Sequence, residues 1–224
     1  NKENQQRAID YYNNALEMAR ENKLDKETAQ TYLYLSDIYS KVPDLDKALK
    51  YTTQASSIVS SLDDDSLKIV TNFSFGEVYQ LKKERLLSLR HYLNALRTAE
   101  LIKNPTLLRH SYAYLSSFYA DISDHDKAID FYQKSMDVLP LTKAENINYQ
   151  RVVDLYSMGN LYLQKKNFEM SGYYFEKSIR LADSLKYHPL KMPGYSGLLN
   201  QYLQARQPKK ALEFFNARKD MRDF

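Results

Sequence analysis

One pattern restricts this chain more than any other: small residues return about every 40 positions at the head of amphipathic stretches. Ala8, Ala48, Ser88, Ala128, Ser171 and Ala211 are spaced 40, 40, 40, 43 and 40 residues apart. Nine residues before each of the last five stands a tyrosine: Tyr39, Tyr79, Tyr119, Tyr162 and Tyr202. Three residues before those come Ser36, Gly76, Ser116, Gly159 and Leu199. Four residues after the small position come Tyr12, Thr52, Tyr92, Tyr132, Phe175 and Phe215, and seven after it Ala15, Ala55, Ala95, Ser135, Ser178 and Arg218. A period of this length is the mark of a stacked repeat array rather than of a single compact core.

Inside each period the spacing is helical. Tyr32, Leu35 and Tyr39 recur at i, i+3 and i+7, as do Tyr112, Leu115 and Tyr119, so each set lies on one stripe of an α-helix. The second stretch repeats small and aromatic residues at i, i+4 and i+7, as in Ala48, Thr52 and Ala55. Small residues let two helix backbones approach, and aromatic rings fill the space beside that contact. Asp44, Asp124 and Asn167 sit where second helices should begin and can cap their amides. Pro105 and Pro208 stand at first helical positions. The pattern predicts helices over 4–22, 25–41, 44–61, 65–82, 84–103, 105–121, 124–138, 145–165, 167–186, 189–205 and 208–221. The three-residue insertion falls in the loop near Leu139–Lys143, and Pro193 predicts a kink or a late helix start.

The columns resemble the tetratricopeptide repeat. They read Gly76, Tyr79, Ser88, Tyr92, Ala95 in one unit and Gly159, Tyr162, Ser171, Phe175, Ser178 in another. Against the usual 34-residue period, 40 resembles the long-repeat branch of kinesin light chains, spindle-orientation adaptors and bacterial peptide-pheromone receptors. The signature tryptophan is absent, with Tyr32, Asn72, Tyr112, Leu155 and Tyr195 in its column, and Leu199 and Arg218 break the small columns of the last unit. The resemblance implies an all-α fold, an α-α superhelix (solenoid) of about five helical pairs with one extra N-terminal helix. The whole chain, 1–224, reads as a single repeat domain with units near 1–23 (a second helix only), 24–62, 63–103, 104–140, 144–186 and 188–222. Because residues 4–22 read as a second helix without its first, the stripe Ala8, Tyr12, Ala15 is expected to be exposed unless something covers it. The chain is accordingly expected to be a fragment of a longer protein.

Composition removes most chemistries. There is no cysteine, so no disulfide framework and no thiolate nucleophile. Five glycines leave no phosphate-cradling loop, and no apolar run reaches the roughly 18 residues of a membrane span. A net charge of +4, from 32 basic and 28 acidic residues, is far from the concentrated basic stripe of a nucleic-acid binder. His91, His110, His125 and His188 make no i, i+4 pair, and zinc sites need more. Asp121, Asp124 and Asp126 lack the glycine and distal glutamate of a calcium loop. They read, like Asp63–Asp65, as helix-start acids. Lys82, Lys83, Arg85, Lys165, Lys166, Lys209 and Lys210 read as solvated turn residues. No catalytic motif, cofactor site or metal site is expected.

In the resembled family the first helix of each pair lines the concave face. Counted from the column tyrosines, the resemblance then places Leu33 and Asp37; Phe73, Glu77 and Gln80; Ser117 and Asp121; Tyr156, Asn160 and Gln164; and Asn200 and Gln204 along a peptide-binding groove. Leu33, Phe73 and Tyr156 would offer apolar contact. Gln80, Asn160, Gln164, Asn200 and Gln204 each offer a donor and an acceptor for a peptide backbone. Asp37, Glu77 and Asp121 make the first half acidic, so a basic extended segment is the expected ligand. Acidic-tailed chaperones are not, since Leu33, Asp37, Phe73 and Glu77 occupy the places where those receptors carry lysine and asparagine. The expected function is a non-enzymatic protein- and peptide-binding scaffold. The alternative is the sensory region of a bacterial transcriptional regulator or sensor histidine kinase. Self-association through uncovered ends is a lesser possibility, and the sequence leaves the compartment, cytoplasm or periplasm, open.

Overall fold

A computed structural model of the chain describes residues 2–42, 44–141 and 146–220. Eleven α-helices follow one another: α1 (Lys2–Glu21), α2 (Asp25–Lys41), α3 (Leu45–Val59), α4 (Asp65–Leu81), α5 (Arg85–Leu101), α6 (Pro105–Asp121), α7 (His125–Val138), α8 (Ile147–Gln164), α9 (Phe168–Ser184), α10 (Lys191–Gln204) and α11 (Pro208–Asp220). No strand occurs among the described residues. The fold is all-α, built of the helical hairpins that the period calls for. It divides into two compact units, residues 1–118 and 119–224.

Helix ends fall where the punctuation of the sequence puts them. Asp44, Asp124 and Asn167 accept from the backbone N–H of Lys47, Lys127 and Met170 at 3.2, 3.3 and 3.1 Å, satisfying amides that the first turn leaves without partners. Asp64 does the same for Leu67 at 2.9 Å and also pairs with Lys26. Pro193 is resolved as a late start: a 3-10 turn over His188–Leu190 precedes α10, and the proline sits in the first turn, where its missing N–H costs nothing. Of the insertion expected near Leu139–Lys143, Leu139–Leu141 form a 3-10 turn and 142–145 lie outside the described residues.

Three hairpins are tied by a serine in the repeat columns. In α2–α3 the Ser36 hydroxyl donates to the Ala48 carbonyl at 3.0 Å. In α4–α5 and α8–α9 the donor is on the other helix: Ser88 to the Gly76 carbonyl at 2.8 Å and Ser171 to the Gly159 carbonyl at 3.0 Å. One serine per hairpin suffices, and it is buried in all three. Two rings of second helices, Tyr92 and Phe175, lie against glycines of first helices. A Cβ on Gly76 would lie 2.3 Å from Tyr92 Cε1, and Cβ atoms on Gly159 and Gly197 would lie 2.5 and 2.4 Å from the Phe175 ring. Where the second helix carries Thr52 instead, Ser36 fits and bonds its hydroxyl at 2.7 Å.

The column tyrosines each stack on an aromatic residue 12 positions later: Tyr39 on Tyr51, Tyr79 on His91, Tyr119 on Phe131, Tyr162 on Tyr174 and Tyr202 on Phe214, with centroids 5.3 to 5.6 Å apart. Such offset stacks add to the burial of the rings themselves. The same tyrosines' carbonyls close the turns, accepting from the N–H of Asp44, Glu84, Asp124, Asn167 and Gln207. This six-to-one bond is that of a Schellman turn. The residue before the donor is left-handed at Lys83, Ser123, Lys166 and Arg206, with φ of 55° to 64°, and none of the four is glycine.

In the first unit, α1 packs on α2 through buried Ile9, Leu16 and Ala19. The stripe Ala8, Tyr12, Ala15 is half-buried rather than open, with Tyr12 stacked on Tyr34 at 5.2 Å. In the last hairpin Leu199 and Arg218 leave the stack of Tyr202 on Phe214 and the burial of Ala211 in place.

Two stability predictions follow from this packing. Replacing Gly76 by alanine overpacks the Tyr92 ring and is expected to destabilise by about 1–3 kcal/mol in denaturant unfolding. Replacing Lys83 by glycine removes a left-handed side-chain penalty and is expected to stabilise by about 1 kcal/mol, measured the same way.

Candidate functional site

Helices α4 and α6 hold an apolar cavity of about 490 Å³, lined by Val70, Phe73, Leu107, His110, Ala113, Tyr114 and Ser117. Its floor is aromatic: Phe73 stacks on Tyr114 at 4.5 Å, and Tyr114 on Tyr92 at 5.4 Å. The Gly76 backbone lets Tyr92 lie flat enough for that second stack. Beside it lie two carboxylates. Asp37 pairs with Lys41 at 2.6 Å. Glu77 is half-buried and makes no hydrogen bond or ion pair among the described residues. Burial, and then the charge of Asp37, raise the Glu77 pKa, with Lys41 offsetting part of it. The Tyr114 phenol is pushed up to about 12 by burial, then by Glu77 and Asp37. These shifts mark a spot where negative charge is poorly solvated and a donated cation would be welcome.

The expected groove residues divide between the two units. In the first, Phe73 and Ser117 meet in the cavity with Glu77 and Asp37 at its margin. Leu33 is buried in the core with Leu16, Ala29 and Leu35, so its side chain is packing, not an open contact. Phe73 too is largely buried, presenting an edge rather than a free ring. Gln80 accepts from the Tyr92 hydroxyl at 3.1 Å, which occupies its oxygen. In the second unit, Tyr156 packs against Phe175 with centroids 5.8 Å apart. Asp121 is exposed at the end of α6. Asn160 is half-buried, and Gln164, Asn200 and Gln204 are exposed. None of these four amides bonds another described residue.

Tyr114, Val70, His110 and Leu107 were not among the expected groove positions. They lie on the same helix faces one turn further from the column tyrosine, or one residue aside. Extending the i, i+3, i+7 stripe through 107, 110, 114 and 117 finds them. Elsewhere, Asp126 pairs with Lys165 and Asp124 caps α7, so the acidic turn near His125 serves structure. Among the described residues no group of three or more His, Asp or Glu side chains is placed to hold a metal ion, and no helix is long and apolar enough to cross a membrane.

With this geometry in hand, comparison with known proteins gives a consistent class. Residues 155–184 match the tetratricopeptide repeat, and the helical hairpins around them are of the same kind. It is 24% identical over 150 residues to response regulator aspartate phosphatase A of Bacillus subtilis (strain 168), covering 66% of this chain and 39% of that protein. The chain therefore spans well under half the length of that curated relative. Among solved structures it is similar to BtubC from P. vanneervenii, with a TM-score of 0.79 at 14% identity over 98% of this chain and 91% of the other. It is also similar to a Rap protein complexed with competence and sporulation factor, with a TM-score of 0.69 at 14% identity over 99% and 71%. At these identities the structures speak for the fold.

The site carries a pH prediction of its own. A carboxyl whose folded pKa is raised adds stability below its unfolded value, and that contribution is lost as pH rises through the folded pKa. Glu77 therefore costs stability at neutral pH. Glu77→Gln is expected to raise the melting temperature at pH 7, with the gain shrinking as pH falls to about 4.

Proposed function

We propose that this chain is a non-enzymatic scaffold that binds an extended, basic peptide segment on the faces of its first helices. The observation that carries the reading is the aromatic-floored cavity of α4 and α6 beside a carboxylate, Glu77, that has no hydrogen-bond or ion-pair partner among the described residues. An apolar side chain of the segment would enter the cavity against Phe73 and Tyr114. A neighbouring Lys or Arg would reach Glu77 and Asp37. In the second unit, the uncommitted amides of Asn160, Gln164, Asn200 and Gln204 offer donors and acceptors to peptide backbone. A cationic ligand would return the Glu77 carboxyl toward its ordinary range, so affinity rises with pH across its titration.

A second reading is favoured by the stretch shared with response regulator aspartate phosphatase A and by the likeness to the Rap protein complexed with competence and sporulation factor and to NprR in complex with its cognate peptide NprX. In it the repeats form the sensory region of a bacterial regulator, and occupancy shifts the conformation of the repeats and so an output domain. A helix-turn-helix or kinase region in the parent reading frame would favour it.

The test is a fluorescence-anisotropy titration of a basic extended-peptide library against wild type, Glu77→Gln and the double variant Asn160→Ala/Asn200→Ala. Losing a charge-assisted contact corresponds to about tenfold or more weaker binding, and that loss is expected for Glu77→Gln. A comparable or smaller loss is expected for the double variant. Unchanged binding by both variants would overturn the assignment.

A further inference from the structure

In the internal second helices α3, α7 and α9 the inner face is packed, and the exposed residues are polar or charged apart from Tyr173 of α9. Helix α5 departs from that pattern. Its buried residues, Ser88, Tyr92, Ala95 and Ala99, lie on one side. On the opposite side Leu86, Arg90, Leu93, Arg97 and Leu101 fall within about 80° of arc at 100° per residue. The three leucines are 86%, 44% and 73% exposed. The repeat itself supplies the control. At the position of Leu86 the other internal second helices have Asp46, Asp126 and Glu169; at Leu93 they have Thr53, Gln133 and Glu176. Singly, an exposed leucine means little, but three on one stripe, two of them where the other internal second helices have polar residues, mark a contact surface.

The charges point the same way. On the other internal second helices several outward charges are answered within the chain: Asp46 by Lys82, Asp126 by Lys165, Asp130 by Lys134 and Glu176 by Arg180. Neither Arg90 nor Arg97 has an ion pair among the described residues. Positive charge is thus left available between the leucines.

We propose that the outward face of α5 is a docking surface, separate from the peptide-binding faces, for an amphipathic helix of another protein carrying apolar residues flanked by carboxylates. The stripe is one helix wide and about 22 Å long at 1.5 Å per residue, the footprint of roughly four turns of a partner helix. Leucines would interleave with the partner's apolar row, and Arg90 and Arg97 would hold its acids in register. An antiparallel second copy of the same stripe would set Arg90 against Arg97, a repulsive register. A lipid surface would be met by only these two cations on the face, with Glu84 and Glu100 at the helix ends.

The probe is a displayed library of helical 18-residue peptides, randomised on one face and panned on the full 224-residue chain. Selected peptides are expected to alternate Leu, Ile or Met with Glu or Asp at helical spacing. A synthetic representative should bind at least tenfold more weakly to Leu86→Ser/Leu93→Ser/Leu101→Ser. That variant should keep its melting temperature, because the altered side chains are exposed. Arg90→Glu/Arg97→Glu should turn the preference toward lysine-bearing peptides, and Glu77→Gln should leave binding unchanged. The proposal is overturned if the selected helices lack carboxylates or bind the serine variant as well as wild type. It is equally overturned if sedimentation shows a dimer, or phosphatidylglycerol vesicles show binding, that the serine variant abolishes.

Discussion

The column tyrosine does two jobs at the end of each first helix, and the hairpins depend on both. Its ring stacks on the second helix, while its carbonyl accepts the amide that closes the turn. The ring fixes how the helices lie side by side, and the carbonyl fixes where the chain reverses. The donor to that carbonyl is also the residue that opens the next helix, as with Asp44, Asp124 and Asn167. One residue thus couples the stop of one helix to the start of the next. A turn this economical leaves no room for drift between the two helices, which is why close contacts such as Gly76 on Tyr92 can recur.

That coupling is also what positions the site. Tyr92 lies against Gly76 and under Tyr114, and Tyr114 lies against Phe73. The stacked rings run from the hairpin contact to the cavity wall. Glu77 follows Gly76 in the chain, so the carboxylate is set beside the rings by the same close approach. Its poor solvation is a by-product of good packing, and it makes negative charge costly there.

Helix number, order and ends were legible from the sequence, because period, caps and prolines all agree on them. The turn residues were less so. Lys83 and Lys166 read as ordinary solvated lysines, since nothing in a lysine announces a left-handed backbone; glycine would have. The stacking partners Tyr51, His91, Phe131, Tyr174 and Phe214 sit one position from the column singled out by spacing alone, and His91 breaks the aromatic pattern by type though not by role. Among the groove residues, Leu33 reads as a contact because offsets define a direction but not a depth; its neighbours Leu16 and Leu35 close over it. Tyr114 lies three residues before the expected Ser117, and its contacts with Phe73 and Tyr92 join three helices, which no spacing rule within one helix supplies.

The reciprocity of the serines has a bearing on how such an array can change. Ser36 reaches across from the first helix to Ala48, whereas Ser88 and Ser171 reach back from the second to Gly76 and Gly159. Joining the helix of Gly76 to that of Ala48 would leave the interface without its serine, and joining that of Ser36 to that of Ser88 would give it two. Shuffling of this chain by recombination is therefore tolerated at the seams between whole hairpins and penalised at the turn within one, so the hairpin rather than the single helix is the heritable module.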